Sequence, residues 1–129
     1  MTRREELEGL AARVEALMGP CRETDAMIWL ATETGATREQ WSYIHKATGK
    51  ECFVDETRNA DRRLIIVPAF TASIDTAMTL AGVREWTVQN NRPQPMAIVA
   101  GIDRYVAAAT PALALTAAAL RAIAALGAS

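Results

Sequence analysis

Apolar residues recur at three- and four-residue steps through the start of the chain: Leu7, Leu10, Val14 and Leu17, flanked by Ala11 and Met18. That spacing predicts an amphipathic helix from about Thr2 to Met18 that turns one narrow stripe toward a partner surface. Thr2-Arg3-Arg4-Glu5 reads as a capping box, in which a hydroxyl and a carboxylate satisfy free backbone N–H groups at the helix start. Gly19-Pro20 stops this helix, and Pro20 suits the first position of a second one that carries Ala26, Ile28, Trp29 and Leu30 and ends near Gly35. From Trp41 the period changes. β-Branched and aromatic residues become dense and Gly49 offers a turn, which predicts strands near 41–46, 51–56 and 63–69, the last two separated by the polar run TRNADR. LIIVPAF is apolar without alternation, the pattern of a strand covered on both faces, with Pro68 at its end or on an edge.

Ser73 is a good N-cap for a short helix, SIDTAMTLAG, with Asp75 near its positive end and Gly82 just past its C-terminus. Further strands follow in REWTVQ and MAIVAGIDRYVA, divided by the loop NNRPQP. Thr110 and Pro111 start a last helix over 111–126 as N-cap and first helical residue. On its wheel Leu113, Leu115, Leu120, Ile123 and Leu126 cover one broad side, and Ala114, Ala118, Ala125 and Arg121 the other. So many small residues allow close approach to a second surface, either between layers of the fold or at a subunit contact. The pattern as a whole predicts an α/β (α+β) domain over 1–129. The expected architecture is an α/β/α sandwich with a mainly antiparallel sheet, an N-terminal helical hairpin (1–35), a β-meander (41–70), a short helix (73–82), strands in 84–107 and the C-terminal Ala-rich helix (111–126).

Composition narrows the function classes. With 129 residues, half of them apolar, one core can form without staples. Lys+Arg number 14 and Asp+Glu 15, a formal charge of −1 that argues against neutralising the phosphates of a long nucleic acid. The opening MTRREELEGL has no apolar core of a signal or anchor, and YVAAATPALALTAAAL is too short to span a bilayer, so a cytosolic protein with no membrane partner is expected. Cys21 and Cys52 fit no disulfide framework and read as free thiols.

The stretch WSYIHKATGKECF puts the single histidine, His45, near Cys52. A hairpin turning around Ala47–Lys50 sets Lys46 opposite Glu51, His45 opposite Cys52, Ile44 opposite Phe53 and Tyr43 opposite Val54, a set of pairs that explains the stretch without chemistry. A Cys/His nucleophile would need an orienting third group and an electropositive setting, which the sequence does not supply. Asp55, Glu56 and Asp61 read as a solvated edge and turn, since neighbours in a strand face opposite ways. The common nucleotide-binding and hydrolase signatures are absent, so no catalytic residue, metal or cofactor is expected; an enzyme using His45 or the carboxylates Asp55 and Asp61 is the minority reading. Trp29 and Trp41 are assigned to the core, and Met27, Met78 and Met96 to gap filling. The remaining candidates are Arg62 and Arg63, then Trp86, Arg92, Arg104 and Tyr105: guanidinium forks grip phosphates and aromatic faces stack on bases, a mixture that suits a small anionic nucleotide.

The stretch IIVPAFTASIDTAMTL, with Pro68, Phe70, Ser73 and Asp75, together with ATPALALTAAALRA at 109–122, resembles the phage ABA sandwich domain family, small proteins of tailed phages and prophages. The resemblance covers roughly residues 64–122, and the hairpin at 41–56 is similar to that of the proteobacterial members. It implies an α/β/α sandwich encoded by a mobile element and supplies no catalytic residues. Small phage proteins of this size are often anti-defence factors, and the Arg/aromatic cluster beside the proline-rich loop together with the alanine helix turns that likeness into an expectation: a homo-oligomer that sequesters a small nucleotide immune signal, of cyclic oligonucleotide or ADP-ribose type, with Arg92 and Arg104 on phosphate and Trp86 or Tyr105 on a base. The alternative is an inhibitor that binds a host nuclease or CRISPR complex, with the acidic helix REELEGLAARVE imitating phosphates.

Overall fold

The computed structural model describes residues 2–90 and 93–126. Helix α1 (Arg3–Ala16) begins at the expected cap: the Thr2 hydroxyl accepts from the Glu5 N–H at 3.1 Å, while the Glu5 carboxylate accepts from that hydroxyl at 3.1 Å and not from a backbone N–H. Leu7, Leu10, Ala11 and Val14 are its buried stripe. Met18 lies beyond the helix end and is exposed. Helix α2 (Arg22–Thr32) starts two residues later than Pro20 suggested, with Cys21 in extended conformation as its N-cap, and ends before Gly35. The start is fixed from outside the helix, because the Cys21 N–H donates to the Thr71 hydroxyl at 2.9 Å.

Strands β1 (Thr37–Ile44) and β2 (Glu51–Arg58) form an antiparallel hairpin, and β3 (Trp86–Gln89), β4 (Met96–Val99) and β5 (Val106–Ala107) form a separate three-stranded antiparallel sheet in that order. Helices α3 (Ile74–Ala81) and α4 (Pro111–Leu126) complete the mixed α+β fold. Their caps are those read from sequence: Ser73 Oγ accepts from the Thr76 N–H, and Thr110 Oγ1 from the Leu113 N–H. Among the described residues no helix is long and apolar enough to cross a membrane.

The centre of the molecule is α4, where Leu113, Leu115 and Leu120 and the alanines Ala114, Ala117, Ala118, Ala119 and Ala122 have no solvent exposure. α1, α3 and β4 all pack against it. Of the alanine side, Ala114 and Ala118 lie between layers of the chain itself, whereas Arg121 and Ala125 line an open groove. Small side chains let the surrounding elements approach closely; Pro111, Arg121 and Ile123 are partly exposed, and Ala125 and Leu126 at the end of the helix are exposed.

A second anchor is polar. Asp25 is fully buried on α2, and its Oδ1 accepts from the Thr71 N–H and the Thr71 hydroxyl, both at 2.8 Å, while Arg22 reaches Oδ2 at 3.0 Å. One residue earlier, the Phe70 carbonyl accepts from the Thr116 hydroxyl of α4 at 2.8 Å. The segment 70–71 is thereby pinned between α2 and α4.

Three expectations for residues 41–69 are corrected. The turn is Lys46–Gly49 and not Ala47–Lys50, closed by His45 N–H to Lys50 C=O and Gly49 N–H to His45 C=O, each 2.8 Å. Tyr43 therefore faces Cys52, Ile44 faces Glu51 and Trp41 faces Val54. Gly49 has φ +70°, so the left-handed residue that glycine permits closes the loop just before Lys50, and this moves the register by two. The third strand is reduced to an Arg58–Leu64 bridge and a bond from Ile65 N–H to Thr57 C=O. Asn59 draws the chain into a tight turn by accepting from the Asp61 and Arg63 N–H groups, Arg62 sits at φ +63°, and beyond Ile65 the Val67 carbonyl is taken by Arg22. LIIV is accordingly not covered on both faces: Ile66 is 91% exposed. Trp41, assigned to the core, stands on the hairpin and is 44% exposed, whereas Trp29 does pack against the core.

Candidate functional site

β1 and β2 project as an arm whose two faces differ. Residues directly opposite in an antiparallel pair share a face, and successive residues alternate. One face holds Arg38, Gln40, Ser42 and Ile44 with Thr57, Asp55, Phe53 and Glu51. This face looks toward α2 at its base, where Thr57 is buried and Arg38 is 11% exposed. The Arg38 guanidinium makes two bidentate pairs, with Glu23 of α2 at 2.7 and 2.9 Å and with Asp55 of β2 at 2.7 and 2.9 Å. The planar fork matches two carboxylates at once, which makes this the joint between arm and body.

The opposite, outward face holds Thr37, Glu39, Trp41 and Tyr43 with Arg58, Glu56, Val54 and Cys52. The Arg58–Leu64 bridge and the Ile65–Thr57 bond add Leu64 and Ile66 to it. Trp41 and Tyr43 are about half exposed, Leu64 more than half and Ile66 almost fully. The result is a mixed face turned away from the body: Trp41 and Tyr43 stand on β1, Leu64 and Ile66 on the far side of β2, and Val54, Glu56 and Arg58 of β2 lie between them, with Glu56 and Arg58 paired at 2.9 Å. Phe53, 80% exposed, adds a second apolar contact at the tip of the inner face.

Hydrogen bonds from Arg38 are the largest influence holding the Glu23 and Asp55 carboxyls below the ordinary carboxylate range, and burial acts weakly the other way. The same two partners keep Arg38 charged well beyond its usual range. A depressed carboxyl contributes stability that is full above its unfolded value, near pH 4, and is lost as pH falls through its lowered folded value. Both carboxylates are about half exposed, so solvent screens the pair and the contribution is modest. Amide-exchange protection of β1 and β2 is expected to fall before that of α4 as pH drops below about 4, and Arg38→Ala is expected to produce the same selective loss at neutral pH. Unchanged arm protection in Arg38→Ala would remove the joint from this account.

The six sequence candidates do not converge. Arg62 and Arg63 lie in the turn after β2 with exposed side chains; the Arg62 carbonyl accepts from Arg58, and Arg62 lines a cavity of about 640 Å³ at the arm base with Arg58, Thr37 and Glu39. Trp86 faces α4: its partner Val99 is fully buried, and its ring packs on the core. Tyr105 alternates with buried Val106 and so lies on the other face of that sheet, its hydroxyl receiving a bond from Gln89 at 3.4 Å. Arg104 lines a separate open groove of about 890 Å³ with Arg4, Glu8, Asp103 and Arg121. Arg92 lies outside the described residues.

His45 and Cys52 share the outward face without being opposite, and Cys21 is remote from both, at the N-cap of α2, where hydrogen bonding with Thr24 pulls its thiol pKa down. Among the described residues no group of three or more His, Cys, Asp and Glu is placed to hold a metal ion. Reading the sequence missed Arg38 as a joint and missed the outward apolar face. The available signal was the odd-numbered series Glu39, Trp41, Tyr43, whose apolar members recur with period two. Comparison of the chain with known protein families, with curated proteins and with solved structures returns no match.

Proposed function

We propose that this chain is a non-catalytic binding protein whose working surface is the outward face of the β1–β2 arm and whose target is another protein. One observation carries the reading: Trp41, Tyr43, Leu64 and Ile66 stand together on a sheet face that no other element of the described chain covers. Large apolar side chains exposed on one face mark interaction sites, and Trp and Tyr dominate binding energy because they bury large rigid surfaces at small entropic cost. Glu56 and Arg58, set between the two apolar pairs, give the face the mixed apolar and polar character that such interfaces have as a whole. In a phage-encoded protein, which the likeness of residues 64–122 implies, a surface of this type would obstruct a host defence protein by occupying it.

The double variant Trp41→Glu/Ile66→Glu tests this. It is expected to keep its helical circular dichroism and lose only about 1 kcal/mol of stability, as surface changes do. A host protein that co-purifies with the wild-type chain is expected to be absent from the variant's eluate. Equal retention by both chains would remove the arm from the proposal.

A small anionic ligand is the second reading, favoured by the groove that gathers Arg4, Arg104 and Arg121. Arg4 is paired with Glu8 at 3.2 Å and Arg121 with Glu15 at 2.6 Å, while Arg104 forms no ion pair among the described residues and would be the phosphate contact. Thermal stabilisation by a cyclic dinucleotide, a cyclic trinucleotide or ADP-ribose that disappears in Arg104→Ala is the expected result on this reading, and no shift with any of the three removes it.

A further inference from the structure

β1 is an edge strand along its whole length. The His45 N–H points toward β2, donating to the Lys50 carbonyl at 2.8 Å. Alternation from there turns the N–H and C=O groups of Tyr43, Trp41 and Glu39 toward β2, and those of Ile44, Ser42, Gln40 and Arg38 outward. Among the described residues no strand pairs with those outward groups. Edges of this length are ordinarily blunted by proline, by a bulge or by a lysine in mid-strand. β1 has none of these: its ladder with β2 is unbroken from Thr37 to Ile44, and its one unpaired-side cation, Arg38, is already held by Glu23 and Asp55.

From this edge we infer that β1 pairs antiparallel with β1 of a second copy of the chain, about a two-fold axis through Ser42, to give a four-stranded β2–β1–β1–β2 sheet. The sequence of the strand selects this register. A two-fold axis perpendicular to the sheet requires residues of the same face to meet, so only a few centres are allowed. Centred on Ser42, the outward backbone groups of Ser42 meet their own copy and those of Gln40 meet Ile44. Between them Trp41 faces Tyr43 and Glu39 faces His45, each contact made twice by symmetry. Centring on Trp41 instead sets Glu39 against Tyr43, and centring on Tyr43 sets Trp41 against His45 and leaves Glu39 opposite Ala47. Only the Ser42 centre gives both an aromatic pair and an acid–base pair, the two classes of cross-strand pair that stabilise a sheet. Charge does not oppose the association either, since residues 37–66 hold six basic and five acidic side chains. The one like-charge approach, Arg38 to Lys46, is on the inner side, where Arg38 is neutralised by its two carboxylates.

The pairing deepens the reading given under Proposed function: it sets Trp41 and Tyr43 of both copies side by side in the middle of one outward face, doubling the platform offered to a partner. It stands on the strand edge and can fail without that reading failing.

Directly opposite residues of a hydrogen-bonded antiparallel pair have Cα atoms about 5.5 Å apart, within disulfide range. In a chain carrying Cys21→Ser and Cys52→Ser, Ser42→Cys is expected to form a disulfide-linked dimer under mild oxidation, and Gln40→Cys, which faces Ile44 of the copy, is expected to stay unlinked. In sedimentation equilibrium Glu39→Lys is expected to weaken the dimer about tenfold, and Glu39→Lys/His45→Glu to restore it, because the exchanged charges again attract. A wild-type chain that is monomeric at its highest soluble concentration overturns the pairing, as does a dimer that Ser42→Cys fails to link or Glu39→Lys fails to weaken. A monomer that still retains a protein through Trp41 and Ile66 removes the pairing and leaves the binding face; a linked dimer that retains none removes the face and leaves the pairing.

Discussion

Asp25→Ala is expected to destabilise the fold by about 3–5 kcal/mol, the largest loss from any single polar substitution in this chain. The carboxylate has no solvent exposure, and its Oδ1 is the acceptor for both the backbone N–H and the hydroxyl of Thr71. Alanine leaves that buried N–H without a partner and releases the segment that Thr116 holds on its other side through the Phe70 carbonyl. The ion pair with Arg22 is not the source of the effect, since the Arg22 side chain is more than half exposed. Arg22→Ala is therefore expected to cost only about 0–1 kcal/mol. Asp25→Asn, which keeps an oxygen at Oδ1, is expected to fall between the two. Urea unfolding of the three variants ranks them, and an Asp25→Ala midpoint within error of the Arg22→Ala midpoint would show that the Thr71 anchor contributes nothing.

Leu120→Ala is expected to cost about 2–5 kcal/mol, and Trp41→Ala, despite removing a much larger side chain, about 1 kcal/mol or less. Leu120 sits on the helix that α1, α3 and β4 surround, so the space it vacates has no free element to close it. Trp41 is half in water already, on an arm joined to the body mainly through Arg38. Chemical denaturation of both variants measures the contrast. A Trp41→Ala loss equal to that of Leu120→Ala would mean that the arm is part of the cooperative core, and the binding role drawn from its exposure would fall with it.

The helices were largely legible because their signals are local. Thr2, Ser73 and Thr110 cap where their hydroxyls imply, and the apolar steps of α1 name its buried stripe, since a helix brings residues three and four apart to one side whatever surrounds it. Strands 41–46 and 51–56 were legible as a hairpin for the same reason, but not their register. One residue of difference in where the turn begins shifts every cross-strand pair, and only the closed geometry at Gly49 settles it. The third strand failed because an apolar run such as LIIVPAF has the same composition whether it is enclosed on both faces or merely touches an edge. Its fate depended on Asn59, Arg22 and Asp25 drawing the chain away from β2.

The candidate site was less legible. Arginines and aromatics close in sequence suggested a pocket, yet alternation along β3 turns Trp86 into the core and the register turns Tyr105 out on the other side. Arg38 gave no signal, since a joint needs two carboxylates from distant positions, Glu23 and Asp55, to arrive at one guanidinium.

What this sequence determined by itself is the set of helices and the existence of the hairpin, because capping, periodicity and turn residues act over a few neighbours. Tertiary structure alone decided which apolar side chains are enclosed and which are offered to solvent. That choice depends on how many surfaces reach a given residue: α1, α3 and β4 converge on α4 and enclose its leucines and its alanines up to Ala124, whereas Trp41, Tyr43 and Ile66 are equally apolar and stay exposed.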